Sequence, residues 1–175
     1  MKDLVKRITR IFVLITMLAV WLYSQIRSAR LLTGVITLIT MSYHFSMRCI
    51  VGFSIDKYLN NHVDYTKPWF QTKTWEKTLY DKLRVKKWKE HIPTFESDLF
   101  NPNVHSWEEI VQASCQAELV HETIALLSLV PLTFSRWFGS LSVFVITSVA
   151  AASVEMIFVI VQRYNRPRML RIMNR

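Results

Sequence analysis

Only three glycines and two cysteines occur in the 175 residues of this chain, and its 13 acids are outnumbered by 22 bases. So little glycine leaves no Gly-rich loop of the kind that cradles phosphates in nucleotide-binding folds. The two thiols, Cys49 and Cys115, fall in or beside apolar segments without metal-type spacing. They are read as reduced packing residues, which excludes a zinc site and a cysteine nucleophile. No Ser/His/Asp order is present, nor any repeat or low-complexity tract. What the chain has in quantity is apolar sequence, 51% of all residues, interrupted by a charged middle from about Asp56 to Glu109. The net charge of +9 would suit nucleic acid, but the bases flank apolar runs instead of forming one soluble patch. Membrane lipids, anionic ones in particular, are the expected partner, and nucleic acid is not.

Four membrane spans are expected, over about 11–26, 31–53, 111–134 and 141–161. Each approaches the roughly 20 residues that a hydrocarbon core about 30 Å thick requires. A signal peptide is the rival reading of the first run, since Lys2, Lys6, Arg7 and Arg10 precede it. No A-x-A cleavage site follows, and Arg27 and Arg30 lead into another apolar run, so the segment is expected to be retained. The fold class is therefore all-α: a single membrane domain over residues 1–175 built as a four-helix bundle. Eighteen of the 22 bases lie at the two termini and in the central region. By the positive-inside rule those parts are cytoplasmic, in a multi-pass protein of the cell membrane.

Between the second and third spans, Phe70, Trp75, Leu79, Tyr80, Leu83, Val85 and Trp88 recur every three to five residues with lysines and acids between them. The pattern predicts an amphipathic interfacial helix over 69–92, with Pro68 and Pro93 as start and stop signals, followed by a loop over 94–106. Such a helix either faces substrate or simply packs on the spans.

Ionisable residues inside spans are costly unless paired or hydrated, which makes them the informative positions. Glu118 and His121 lie three apart in the third span and share a helical face, with Glu122 beside them. A carboxylate that holds the tautomer of an imidazole creates a general base for a hydroxyl, so His121 and Glu118 are the candidate catalytic residues. Glu155, about two turns before Arg163, is placed to approach the same centre. The competing reading has Glu118 and Glu122 neutralising Arg48 or a tail arginine and holding the bundle together. A di-iron site would need the Glu-x-x-His motif twice and the chain has it once, so no metal is expected. His44 and Arg48, one turn apart in the second span, are read as structural.

The fourth span runs directly into Gln162-Arg163-Tyr164-Asn165-Arg166-Pro167-Arg168. This run, together with Asp56-Lys57-Tyr58, the stretch from Trp75 to Lys89 and Ala117-Glu118-Leu119-Val120-His121, resembles the glycosyl-4,4′-diaponeurosporenoate acyltransferase family. The resemblance covers roughly Leu31 to the C-terminus. The first span, Gln116, Glu122 and Glu155 stand outside the family pattern. The resemblance implies a membrane enzyme that transfers a fatty acyl group, in carotenoid biosynthesis, onto a hydroxyl of a lipophilic, glycosylated acceptor. The donor would be an acyl thioester, of coenzyme A or of a carrier protein, with no bound cofactor. On this reading Arg163, Tyr164, Asn165, Arg166, Arg168, Trp88 and Lys89 bind substrate, Arg166 and Arg168 through donor phosphates, and Asn165 or Arg163 stabilises the oxyanion; Glu122 and Glu155 are counted with them from their place in the spans, not from the resemblance. Two other classes stay open: a non-catalytic protein that binds anionic lipid, and a different group transferase such as a methyltransferase.

Overall fold

The computed structural model describes residues 2–92 and 97–174. Most of these residues are helical, with no strand among them. Helix α1 spans Lys2–Ile26, α2 Ala29–Leu59, α3 Thr74–Lys82, α4 Val85–Trp88, α5 Trp107–Leu127, α6 Ser135–Phe138 and α7 Leu141–Met173. Among the described residues, three stretches are long and apolar enough to cross a membrane: Ala29–Leu59, Trp107–Phe138 and Leu141–Met173. Helix α1 contains the expected first span but is not among the three. Its first turns carry Lys6, Arg7 and Arg10, which leaves an uninterrupted apolar stretch shorter than a hydrocarbon core demands. The third span also differs from expectation. Regular helix stops at Leu127 and tightens to a 3-10 turn over Val130–Phe134, where Pro131 has no N–H to continue the α ladder.

The chain divides into two compact units. Residues 1–52 and 123–154 form the first. In it, α1 and α2 run antiparallel: Thr16 Oγ1 lies 2.6 Å from Ser42 Oγ, Phe12 stacks on Phe45 with centroids 5.0 Å apart, and Thr9 Oγ1 lies 3.5 Å from Cys49 Sγ. Small polar residues at such a seam allow close approach, and their hydroxyls bond across it. Tyr43 donates to the carbonyl of Leu127 at 2.9 Å, which satisfies one of the acceptors that the end of α5 leaves open. Leu14, Met17, Leu18 and Trp21 of α1 and Ile146 and Val149 of α7 remain exposed, as lipid-facing side chains do.

Residues 53–122 and 155–175 form the second unit. Its centre packs Val63 and Phe70 on the fully buried Cys115, with Leu59, Tyr65 and Leu119 around them. Helix α2 ends in two left-handed asparagines, Asn60 and Asn61, a residue type that adopts this conformation at low cost. The Gln116 side chain fixes that end, accepting from Asn61 N at 2.7 Å and donating to Asp56 at 3.2 Å.

The expected single amphipathic helix over 69–92 is broken. Helix α3 gives way at Arg84, whose φ is 52°, to the short α4 and a 3-10 turn over Lys89–His91. Burial explains the break, because the two pieces bury different residues. Tyr80 on α3 and Val85 on α4 both point inward, whereas Trp75, Leu79 and Leu83 stay exposed. Trp88 Nε1 donates to the Leu83 carbonyl at 2.9 Å and so caps the end of α3; the indole is a structural brace in this position. Pro93 and residues 94–96 of the expected loop lie outside the described residues; Ser97–Phe100 forms a 3-10 turn.

A left-handed non-glycine residue costs about 1–2 kcal/mol. Arg84→Gly is therefore expected to raise stability by up to about 1 kcal/mol after the added flexibility of glycine is set against it, and Arg84→Val to lower it. Thermal unfolding of the purified variants in detergent measures both.

Candidate functional site

Glu118 and His121 sit one turn apart on α5, and the local pattern predicts that they pair. In the folded chain they serve different partners. His121 Nδ1 lies 2.6 Å from Glu155 Oε2 on α7. The imidazole also stacks on Phe158, with centroids 4.7 Å apart and planes at 10°. Glu155 and Phe158 are three residues apart on α7, so one face of that helix supplies both the carboxylate and the flat surface that fix the ring. The tautomer that donates from Nδ1 to Glu155 leaves Nε2 as the basic nitrogen. Glu155 keeps 3% of its side-chain surface exposed and His121 keeps 19%, so the carboxylate is sealed while the ring stays within reach.

Glu118 faces the two tail arginines instead. Its Oε1 takes a 2.5 Å bond from Arg163, and its Oε2 lies 2.5 Å from an Arg166 nitrogen. Arg163 also grips Glu76 with two nitrogens, at 2.6 and 3.1 Å. Both guanidiniums also donate to backbone. Arg163 donates to the carbonyls of Trp69 at 2.9 Å and Gln71 at 3.2 Å, and Arg166 to those of Phe70 and Ser114, each at 3.2 Å. Arg166 is 1% exposed, with its guanidinium 5.4 Å from the Phe70 ring centroid.

These contacts revise four expectations. Glu118 does not pair with His121; the carboxylate that does is Glu155, expected to approach the same centre and counted among the substrate-binding residues. Arg166, expected with Arg168 to hold donor phosphates, is not an open grip, because a buried arginine must be neutralised and Glu118 already does so. Arg163 is equally committed against the expected oxyanion contact, and Asn165 offers its Oδ1 to Lys89 at 2.8 Å. Glu122 receives a 3.0 Å bond from Trp69 Nε1, on the rim of an apolar cleft that Leu59, Val63, Phe70 and Leu119 also line. Tyr164, Asn165, Arg168 and Lys89 come together at a second, basic cleft. In the first unit, His44 is buried, as a structural residue would be.

Glu76 is the functional neighbour that sequence reasoning overlooked. It lies in a lysine-rich helix that reads as solvated, yet it is buried, and it accepts from Tyr80 at 2.7 Å as well as from Arg163. The available signal was its i,i+4 spacing to Tyr80. Burial works against ionisation of Glu76, but the bonds from Arg163 and Tyr80 outweigh it and hold the pKa below the ordinary glutamate value. The Tyr80 hydroxyl is pushed up, by burial first and then by the carboxylate it serves.

The family model of glycosyl-4,4′-diaponeurosporenoate acyltransferases matches residues 66–175. No curated protein and no solved structure matches the chain. The matched stretch contains His121, Glu155 and all four members of the Glu76, Glu118, Arg163 and Arg166 network.

Removal of one partner from a buried ion pair leaves an uncompensated charge, a loss of about 3–5 kcal/mol. Glu118→Gln should therefore collapse the thermal midpoint and the yield of folded protein, and Glu118→Gln with Arg166→Met should recover part of the loss. A depressed carboxylate pKa contributes stability that is present above the unfolded value of 4.5 and is lost as pH falls through the folded value. Acid unfolding monitored below about pH 4.5 should accordingly lose one protonation-linked component in Glu76→Gln.

Proposed function

The chain belongs to the glycosyl-4,4′-diaponeurosporenoate acyltransferase family, and from that premise we propose that it moves a fatty acyl group from an acyl thioester to a hydroxyl of a lipophilic, glycosylated, carotenoid-like acceptor. The donor is an ester of coenzyme A or of a carrier protein. The observation that carries this reading is the His121–Glu155 pair: a partly accessible imidazole bonded at 2.6 Å to a buried carboxylate.

In the proposed step, His121 Nε2 removes the proton from the acceptor hydroxyl as its oxygen attacks the thioester carbonyl carbon. Glu155 holds the ring and stabilises the imidazolium that forms. The tetrahedral intermediate then expels the thiolate, the carbon–sulfur bond breaks, and the imidazolium proton passes to sulfur. Ester and thiol leave, and the imidazole is neutral again. The transfer is direct, without an acyl-enzyme on cysteine.

Within a membrane the apolar stretches of α2, α5 and α7 would carry the acyl and acceptor chains. The antiparallel seam of α1 on α2 supports a fourth crossing and hence a bundle of four. The charge distribution supports cytoplasmic termini, the side on which activated acyl donors are made.

His121→Ala is expected to lower acyl transfer in purified membranes by about 10²–10⁴-fold at equal protein level. Glu155→Gln should lower kcat with little change in KM, since it acts through the orientation of the ring. Wild-type turnover in both variants would remove the proposed base. Bound acceptor lipid without turnover in the unaltered protein would favour a lipid-binding role.

A further inference from the structure

Two groups of basic residues in the second unit differ in their electrostatic setting. Arg163 and Arg166 are neutralised by Glu76 and Glu118. Lys86, Lys89, Arg168 and Arg171 instead converge on one cleft of about 300 Å³, whose described lining includes a single acid, Glu90. The four cations come from two separate parts of the chain, α4 with its following turn and the last turns of α7. Like charges brought into one concavity repel, and little within the cleft offsets them.

Lys89 is the informative member. Its ammonium is fixed by neutral groups: Nζ donates to Asn165 Oδ1 at 2.8 Å and lies 5.2 Å from the Tyr164 ring centroid. Tyr164 is itself set edge-on to Tyr80, with centroids 5.7 Å apart. The lysine is thus positioned without being neutralised. A membrane anchor needs charge alone, whereas a concave site with a pre-placed ammonium and arginine forks suits a compact, multiply charged oxyanion.

We propose that this cleft binds a phosphate ester, with Lys89 as the fixed point charge and Arg168 as the planar fork. The same chemistry is offered by a soluble phosphorylated cofactor and by a phospholipid headgroup. The inference is argued from charge and geometry; where the ligand is a soluble phosphorylated donor it deepens the acyl-transfer reading and rests on it, and its test reads binding alone, so that the two can fail separately.

The test uses the full chain in a maltoside detergent free of phosphate, titrated calorimetrically with pyrophosphate and with coenzyme A, alongside flotation with phosphatidylglycerol vesicles. The comparison is with Lys86→Gln/Arg168→Gln, two exposed positions whose replacement should leave the thermal midpoint in place; Arg168→Lys is the conservative control. Weakening of pyrophosphate and coenzyme A binding by about tenfold or more, partly restored by lysine at 168, supports a soluble ligand. Loss confined to vesicle binding supports the headgroup. Unchanged binding of both kinds in a folded double variant overturns the proposal.

Discussion

A carboxylate removed from water has to meet positive charge before its surroundings can settle, and Glu118 is such a group, with none of its surface exposed. Two guanidiniums answer it, both from the tail of α7. Each then has hydrogen-bond capacity left over, and that surplus organises the rest of the second unit. The carbonyls of Trp69, Phe70 and Gln71 follow one another along an irregular segment with no ladder to satisfy them, and Arg163 and Arg166 take all three. Glu76 supplies the second negative charge, so the four groups sum to zero. It also accepts from the backbone N–H of Lys73, which ties the start of α3 to the same centre.

That commitment explains how the site divides its carboxylates. Along α5 an advance of one turn, from Glu118 to His121, moves the partner on α7 from Arg163 and Arg166 back to Glu155 and Phe158, as antiparallel neighbours must. The acid three residues from the histidine is therefore occupied elsewhere, and one from another helix orients the ring. Glu118 secures the framework and Glu155 holds the imidazole.

How much of this could be read in the sequence depended on the range of the interaction. Three long apolar stretches, the isolated Glu-x-x-His pattern and the unusual order of the tail are local and were legible, as was the rival reading in which Glu118 neutralises a tail arginine. The partner of His121 was not, because i,i+3 spacing reveals only neighbours on the same helix, whereas the register of α5 against α7 is set by packing. Arg84 gave no warning of a helix break, since arginine is a good helix former and the left-handed turn is imposed by burial of Tyr80 and Val85 on either side. Glu76 was hidden by its lysine-rich setting, and the burial of Arg166 by its place in a run of bases that reads as exposed.

The neutral quartet also bears on how such a chain reaches its folded state during synthesis. The ribosome delivers Glu76 and Glu118 well before Arg163 and Arg166, so α5 leaves the translation machinery carrying an acid whose counter-charges do not yet exist. Until α7 is made, Glu118 has to remain in contact with water or with a chaperoning surface, and the carbonyls of residues 69–71 stay unfilled. Closure of this network consequently waits for α7. A nascent chain stopped short of Arg163 would present quality-control proteases with an unpaired buried acid, even though most of its helices were complete.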